Sequence, residues 1–239
     1  MLQRIDKILS SQDICTRKQA RELCYTGQIV IDGIPVRSPE QKADPEVSEI
    51  IVSGKPLQFR RYIYLMMNKP QGVVSASRDK HTPTVVDLVP EHLRREGLFP
   101  AGRLDKDTTG FVLLTDDGEL AHKILSPKNH VPKTYLAEVS GKVDENTCRA
   151  FEQGIVLADG SRCKGADLEV LGERDGLTLT RVVLYQGLYH QIKRMFAACG
   201  CRVQTLHRVK IGGLTLDEDL APGACREILY KELKENLTY

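Results

Sequence analysis

Residues 102–110 read Gly102-Arg-Leu-Asp105-Lys-Asp-Thr-Thr-Gly110, crowding two carboxylates, two cations and two hydroxyls between glycines. They lead into Phe111-Val-Leu-Leu114, an apolar run that reads as a buried strand. Charge and glycine gathered in a loop beside a strand often carry function. Asp105 admits several chemistries there. As a calcium ligand it would act with Asp107 and Thr109 around Gly110 at the sixth position, but the twelfth position is Asp116 where glutamate is expected, and 111–114 is strand-like. As a phosphate-accepting aspartate in Asp-Lys-x-Thr it would need a nucleotide loop, and no Walker-type run is present. As a plain turn residue it would satisfy backbone N–H groups, and on this loop alone that reading wins. As a nucleophile or general base it needs partners from elsewhere in the chain. A metal centre built from His190, His207, Cys199 and Cys201 does not fit, because a C-x-C pair beside one helix lacks zinc-ligand spacing. No metal is expected, and Asp107 and Asp116 read as turn or capping residues.

The elements that must position this loop follow from periodicity. Ile5, Ile8 and Leu9 share one side of a short helix, with Arg4 and Lys7 off it. Thr16-Arg-Lys-Gln19 has the form of a capping box, Ala20, Leu23 and Cys24 share a face, and Gly27 stands at the helix stop. Asp32-Gly33 is a tight turn between β-branched runs, and Ile50-Ile-Val52 is one more strand. This small module closes near Leu57, and Phe59-Arg-Arg-Tyr62 reads as a linker. Beyond it, strands are expected at 63–67, 110–115, 133–140, 167–171 and 177–185, a turn at Asp117-Gly118, and helices at 118–125, 144–153 and 189–199. Strands and helices do not alternate strictly. An α+β fold with a largely antiparallel, mixed sheet is therefore expected.

A chain of 239 residues can hold one sizeable core and a small second module. With 41% hydrophobic and 28% charged residues it has an ordinary globular composition. No apolar run nears the roughly 18 residues of a membrane span, and the first residues lack a signal peptide's apolar centre, so a cytoplasmic protein without membrane association is expected. Seven cysteines, an odd number with no C-x-x-C pair, fit neither a disulfide framework nor a zinc ribbon. The net charge of +2 names no partner, but residues 177–216 carry six Lys or Arg and no Asp or Glu. That is a local footprint for a polyanion.

Two sets of ordered motifs carry a resemblance. Arg4-x-Asp-Lys-x-Leu9, Thr16-Arg-Lys-x-Ala-x-x-Leu23 and Gly27-x-Ile-x-Ile-Asp-Gly33 resemble the S4 RNA-binding module over residues 2–57. Gly102-Arg-Leu-Asp-x-x-Thr-x-Gly110 resembles the active-site signature of one large group of pseudouridine synthases, and its companions stand in order. Asn68-Lys-Pro-x-Gly72 is similar to that group's first motif, and Lys133-Thr-Tyr135 to its tyrosine segment. Leu184-Tyr-Gln-Gly-Leu-Tyr-His-Gln-Ile-Lys-Arg-Met195 is similar to its third motif, and Leu206-His-Arg-Val-Lys-Ile-Gly212 to the downstream segment. The chain departs from the group at Gln186-Gly-Leu188, where Glu-Gly-Arg is common, and at Lys193, often Arg, which keeps the charge but loses the two-pronged geometry. The arrangement most resembles the branch that modifies single sites in 16S ribosomal RNA.

The resemblance implies an S4 domain over 1–59 and a catalytic domain over 60–239. It implies a monomer that takes ribosomal RNA, from 16S or an assembling small subunit, and needs no cofactor, because pseudouridine formation imports no group and oxidises nothing. The target base must be flipped out of its stack. Asp105 is then the reacting carboxylate, as nucleophile at C1′ or as base toward the C2′ proton. Lys193 is the cation beside it, Tyr135 stacks on the base and helps take the C5 proton, and Arg103 braces the vacated stack. RNA contacts are expected from Lys69, His190, Gln191, Arg194 and Arg208, and from Arg4, Lys7, Arg17, Lys18 and Arg21 on the two basic helices.

Overall fold

The computed structural model describes residues 1–12, 14–126 and 128–237. The chain forms two compact units, Met1–Ile63 with Arg95–Gly97, and Tyr64–Arg94 with Leu98–Tyr239. In the first, a two-residue strand β1 (Gln3–Arg4) leads into α1 (Ile5–Ser11), whose Ile5, Ile8 and Leu9 are fully buried, as their spacing requires. The next helix, α2 (Arg17–Tyr25), starts at a capping box: Gln19 N–H donates to Thr16 Oγ1 at 3.3 Å and Thr16 N–H to Gln19 Oε1 at 2.9 Å. It ends in a Schellman motif, with Gln28 N–H on Leu23 O and Gly27 N–H on Cys24 O, and Gly27 supplies the positive φ.

Short strands β2 (Ile29–Ile31), β3 (Ile34–Pro35), β4 (Lys42–Ala43), β5 (Ile50–Val52) and β6 (Lys55–Pro56) complete the unit. They form a β3-β2-β5-β6 sheet and a β1-β4 pair. Asp32 and Gly33, at φ 50° and 80°, make the tight turn between β2 and β3. The core joins Ile5, Ile8, Leu9 and Ala20 of the helices to Ile29, Ile31, Ile50 and Val52 of the sheet. The 59–62 stretch, read from sequence as a linker, is tied down. Phe59 packs on this core, and the Gln12 side chain brackets the backbone of Arg60, accepting from its N–H at 2.8 Å and donating to its carbonyl at 3.1 Å.

The second unit is built on β7 (Tyr64–Lys69), β8 (Phe99–Pro100), β9 (Thr109–Thr115), β10 (Lys133–Ser140), β11 (Asp167–Arg174), β12 (Leu177–Leu184), β13 (Arg202–Ile211), β14 (Leu214–Thr215) and β15 (Cys225–Glu227). Among the described residues these nine strands make one sheet with main order β11-β12-β10-β13-β9-β7-β15. Every pairing is antiparallel except that of β13 with β9. The fold is α+β with a mixed, mostly antiparallel sheet. Central β9 is apolar along its length and buried from Gly110 to Thr115, as a strand covered on both faces must be.

Helices α3 (Gly118–Leu125), α4 (Glu145–Gln153), α5 (Gln191–Ala198) and α6 (Tyr230–Asn236) complete it, with α4 against β11 and α5 against β13. Asp117, expected in a turn, is the N-cap of α3: it accepts from Leu120 N–H at 3.0 Å and from the Tyr64 hydroxyl at 2.8 Å. Sequence periodicity did not mark β13. Before Ile211 its apolar residues Val203, Leu206 and Val209 recur every third position, and two register shifts against β10 break the alternation that identifies a strand.

Candidate active site

The 102–108 loop sits where the only parallel pairing of the described sheet begins, His207 beside Thr109 and Arg208 beside Gly110. Gly110 permits this approach. A Cβ there would lie 2.3 Å from the Arg208 carbonyl oxygen, and the backbone is at φ 100°. The loop is pinned from below by the end of β7. Lys69, with no exposed surface, donates from Nζ to the carbonyls of Thr108 at 2.7 Å, Pro70 at 3.0 Å and Lys106 at 3.4 Å. Burial pulls its ammonium down to about 8, against the opposing pull of Asp107 and Asp105. Gly72 N–H also reaches Lys106 O at 2.9 Å, and Ser75 exchanges two hydrogen bonds with the backbone of Leu104, at 3.0 and 3.1 Å. Asp105 thus stands on a backbone held at four points.

Its carboxylate, about one-third exposed, has Lys193 Nζ 3.5 Å from Oδ2 and His190 Nε2 3.4 Å from Oδ1. Both partners come from the N-terminal end of α5. Lys193 is shared: it lies closer to Asp107, at 2.6 Å, and that hydrogen bond holds the Asp107 carboxyl below its usual range. Asp107, read as a turn residue, is therefore the second anion on the same ammonium. The carboxylate lines a cavity of about 500 Å³ with Arg103, Lys133, Tyr135 and His190. Such a volume suits a nucleotide-sized ligand. Tyr135 comes from β10 at the register shift opposite Arg208, and its hydroxyl accepts from Arg208 Nη1 at 3.4 Å. Lys133, on the same strand, donates to Val131 O at 2.7 Å, and burial lowers its ammonium to about 8. The sequence motif that contains Lys133 gives it no place in the site by itself.

Asp105, Arg103, Tyr135, Lys193 and His190 are thus brought to one cavity. Three expected RNA contacts are not surface groups. Lys69 is enclosed by the carbonyls it binds. Arg208, 3% exposed, donates from Nε to Phe111 O at 2.7 Å and braces Tyr135. Gln191 is buried and accepts from Leu188 N–H at 2.9 Å. In each case a polar head is enclosed because a nearby backbone or hydroxyl group needs it, which a motif read in one dimension does not reveal. Arg194 is ion-paired with Asp159 at 2.5 Å. The buried side-chain polar atoms without a partner among the described residues, Thr108 Oγ1 and Arg208 Nη2, both belong to residues lining this cavity.

In the first unit, Lys7, Arg17, Lys18 and Arg21 are exposed and make no ion pair among the described residues, whereas Arg4 is bound to Asp6 at 2.9 Å and lies 3.4 Å from Glu40. No group of three or more His, Cys, Asp or Glu among the described residues could hold a metal ion, and no described helix is long and apolar enough to cross a membrane. His207 instead shares a 2.8 Å hydrogen bond with Thr109 Oγ1.

Residues 63–198 match the RNA pseudouridylate synthase family and residues 3–47 the S4 domain. The chain is 44% identical over 231 residues to an uncharacterized RNA pseudouridine synthase, YtzG, of Bacillus subtilis, covering 96% of each. It is 41% identical over 232 residues to the ribosomal small subunit pseudouridine synthase A of Escherichia coli, covering 96% of this chain and 98% of the relative. A solved pseudouridylate synthase, 39% identical, superposes with a TM-score of 0.68 over 98% of this chain and 99% of its own. With a carboxylate loop, tyrosine strand and basic helix gathered at one cavity and a family match over more than half its length, the chain belongs to the RNA pseudouridylate synthases and carries an S4 domain ahead of its catalytic sheet.

Proposed function

We propose that this enzyme converts one uridine of 16S ribosomal RNA to pseudouridine, on the free RNA or an assembling small subunit, as a cytoplasmic monomer without a cofactor. Residues 1–59 grip the RNA and residues 60–239 carry the chemistry. The observation that carries the reading is the Asp105 carboxylate, facing a nucleotide-sized cavity with Lys193 and His190 on its two oxygens. The uridine flips into the cavity, at a cost that is least where the RNA is already single-stranded. Arg103, exposed at the cavity wall, braces the gap left in the stack.

Asp105 then acts in one of two balanced ways. As nucleophile it forms an ester at C1′ while the C1′–N1 bond breaks. As base it takes the C2′ proton, opens a glycal, and returns that proton. In the first route the attack of C5 on C1′ breaks the ester C1′–O bond and frees the carboxylate. In the second the C1′–N1 bond breaks as the glycal forms, and C5 adds to C1′ as C2′ recovers its proton. In both the base turns over, the C5 proton is lost and N1 gains one. Tyr135, held by Arg208, stacks on the base and helps to take that proton. Lys193 neutralises the carboxylate in a site that excludes water when filled. The 16S target is favoured by the relatives that act on the ribosomal small subunit, 40–42% identical over nearly the full chain.

The test is tritium release from C5-labelled 16S RNA, 23S RNA and small-subunit assembly intermediates, at equal uridine concentration. Conversion of 16S RNA or its intermediates is expected. Efficient conversion of 23S RNA alone would overturn the target and leave the synthase standing. Asp105→Asn should bind RNA normally and release no tritium, since the amide keeps the shape but can act neither as nucleophile nor as base. More than a few per cent of residual rate removes Asp105 from the chemistry.

A further inference from the structure

We infer that Tyr189, backed by His190, is a stacking ledge at the rim of the Asp105 cavity that holds the base next to the flipped uridine in a single-stranded stretch of the RNA. Tyr189 lines the cavity and is 73% exposed, far more than a ring of its size needs to be if it served packing. Its hydroxyl makes no hydrogen bond among the described residues. One face lies on the His190 ring, with centroids 3.8 Å apart and planes 17° from parallel. The other face is left for a third ring. His190 Nε2 reaches Asp105, so a base on the outer face of Tyr189 would lie two ring thicknesses from the group that touches the reacting carboxylate. That is the reach of an adjacent nucleotide.

The backbone presents this pair at a cost. His190 sits in the left-handed region, at φ 49° and ψ 35°, which is uncommon for a residue with a side chain. It begins α5 without using its side chain as a cap, so the ring is free to stack. Arg194 fixes both carbonyls behind the rings, its N–H on His190 O at 3.0 Å and its Nη1 on Tyr189 O at 3.4 Å, while its other arm is held by Asp159. The segment that leads up to them carries no charge of its own. Residues 184–189 contain no Asp, Glu, Lys or Arg, and Leu188 is 38% exposed. Such a surface reads π-faces and apolar contact, and every base offers a π-face that is open only where the strand is unpaired.

The inference rests on the reading of the Asp105 cavity as the site of isomerisation. Tyr189→Ala and Tyr189→Phe are made in the full chain and assayed by tritium release on C5-labelled 16S and 23S transcripts. Removing one base–aromatic stack should raise KM roughly 5- to 100-fold in Tyr189→Ala with kcat nearly unchanged, because the stack is made equally in ground and transition states. Tyr189→Phe, which keeps the ring, should restore the KM. The chain contains no tryptophan, so Tyr189→Trp creates a single reporter at the ledge, and RNA binding should quench its emission. An active enzyme with unchanged KM in Tyr189→Ala overturns the ledge alone. So does a fall in kcat at unchanged KM, which would make Tyr189 a prop for His190, and so does an unquenched indole with RNA bound. If the unsubstituted enzyme converts no uridine in either RNA, the reading of the cavity fails first and the ledge falls with it.

Discussion

Lys69 shows what a single residue of this site must overcome. An ammonium is strongly hydrated, and enclosing one is tolerated only when its donors are all used. Here three N–H bonds meet three carbonyls, two of them in the loop that presents Asp105. Lys69→Met would keep most of the volume and leave the Pro70 and Thr108 oxygens without this donor. A loss of about 2–4 kcal/mol in unfolding free energy is expected, net of the desolvation relieved. The loop should also drift, and because misplacement by about 1 Å can cost on the order of 100-fold, kcat should fall far more than KM rises. The pH dependence has a definite sign. The folded ammonium titrates at about 8 and the unfolded one near 10.4, so between these values the unfolded chain holds more protons and folding stability rises with pH. Denaturant unfolding of both proteins from pH 7 to 10 should show the difference between wild type and variant widening upward. A difference that is flat or narrows with pH would mean that Lys69 does not titrate in this window.

At the scale of elements, the junction of β9 and β13 positions the groups of the candidate site. Asp105 precedes β9, Arg208 lies on β13, and Tyr135 faces Arg208 from β10, so one close approach at Gly110 sets the spacing of all three. Gly110→Ala places a methyl against the Arg208 backbone and forces a residue with a side chain to φ 100°. Strain alone amounts to about 1–3 kcal/mol, and backbone atoms on both sides cannot step aside as a side chain could. The variant should melt well below the parent or fail to accumulate, and what folds should have lost most of its tritium-release activity. A melting temperature within a degree of the parent's would show that the junction opens without cost. This junction also marks the limit of what sequence made legible. Helices with strong caps and apolar faces, α2, α3 and α4, and the evenly alternating β10 and β12 were readable because their signals are local. Strand β13 was not, since its pattern is interrupted where it shifts against β10, and a parallel pairing between residues 98 positions apart leaves no local trace. The same holds for side chains. Asp105, Tyr135 and Lys193 were legible through ordered motifs, but the burial of Lys69, Gln191 and Arg208, and the sharing of Lys193 with Asp107, arise only when distant segments meet.

For the whole molecule, a net charge of +2 conceals an uneven distribution, and the S4 unit holds several exposed cations with no ion pair among the described residues. Arg17 and Lys18 occupy the first turn of α2, which contains no acidic residue. The exposed N–H groups there already make that end of the helix positive, so two cations are unfavourable to the folded protein by a few tenths of a kcal/mol each. They stand against local stability, which fits the proposal that they meet an external polyanion. Arg4 is the contrast, a cation bound to buried Asp6 and so part of the fold. Replacing Arg17, Lys18 and Arg21 together by Gln in the full chain should leave the melting temperature unchanged or slightly raised. Affinity for ribosomal RNA should fall, and the slope of log K against log salt should decrease by roughly 0.7–0.9 for each phosphate no longer neutralised. The rate at saturating RNA should persist, because the cavity proposed for the chemistry lies in the other unit. Arg4→Gln should instead lower the melting temperature with a smaller change in slope, since it leaves Asp6 without its cation. An unchanged slope and affinity in the triple variant would make the basic helices ordinary solvated surface, and RNA gripping would then have to come from the cations of residues 177–216.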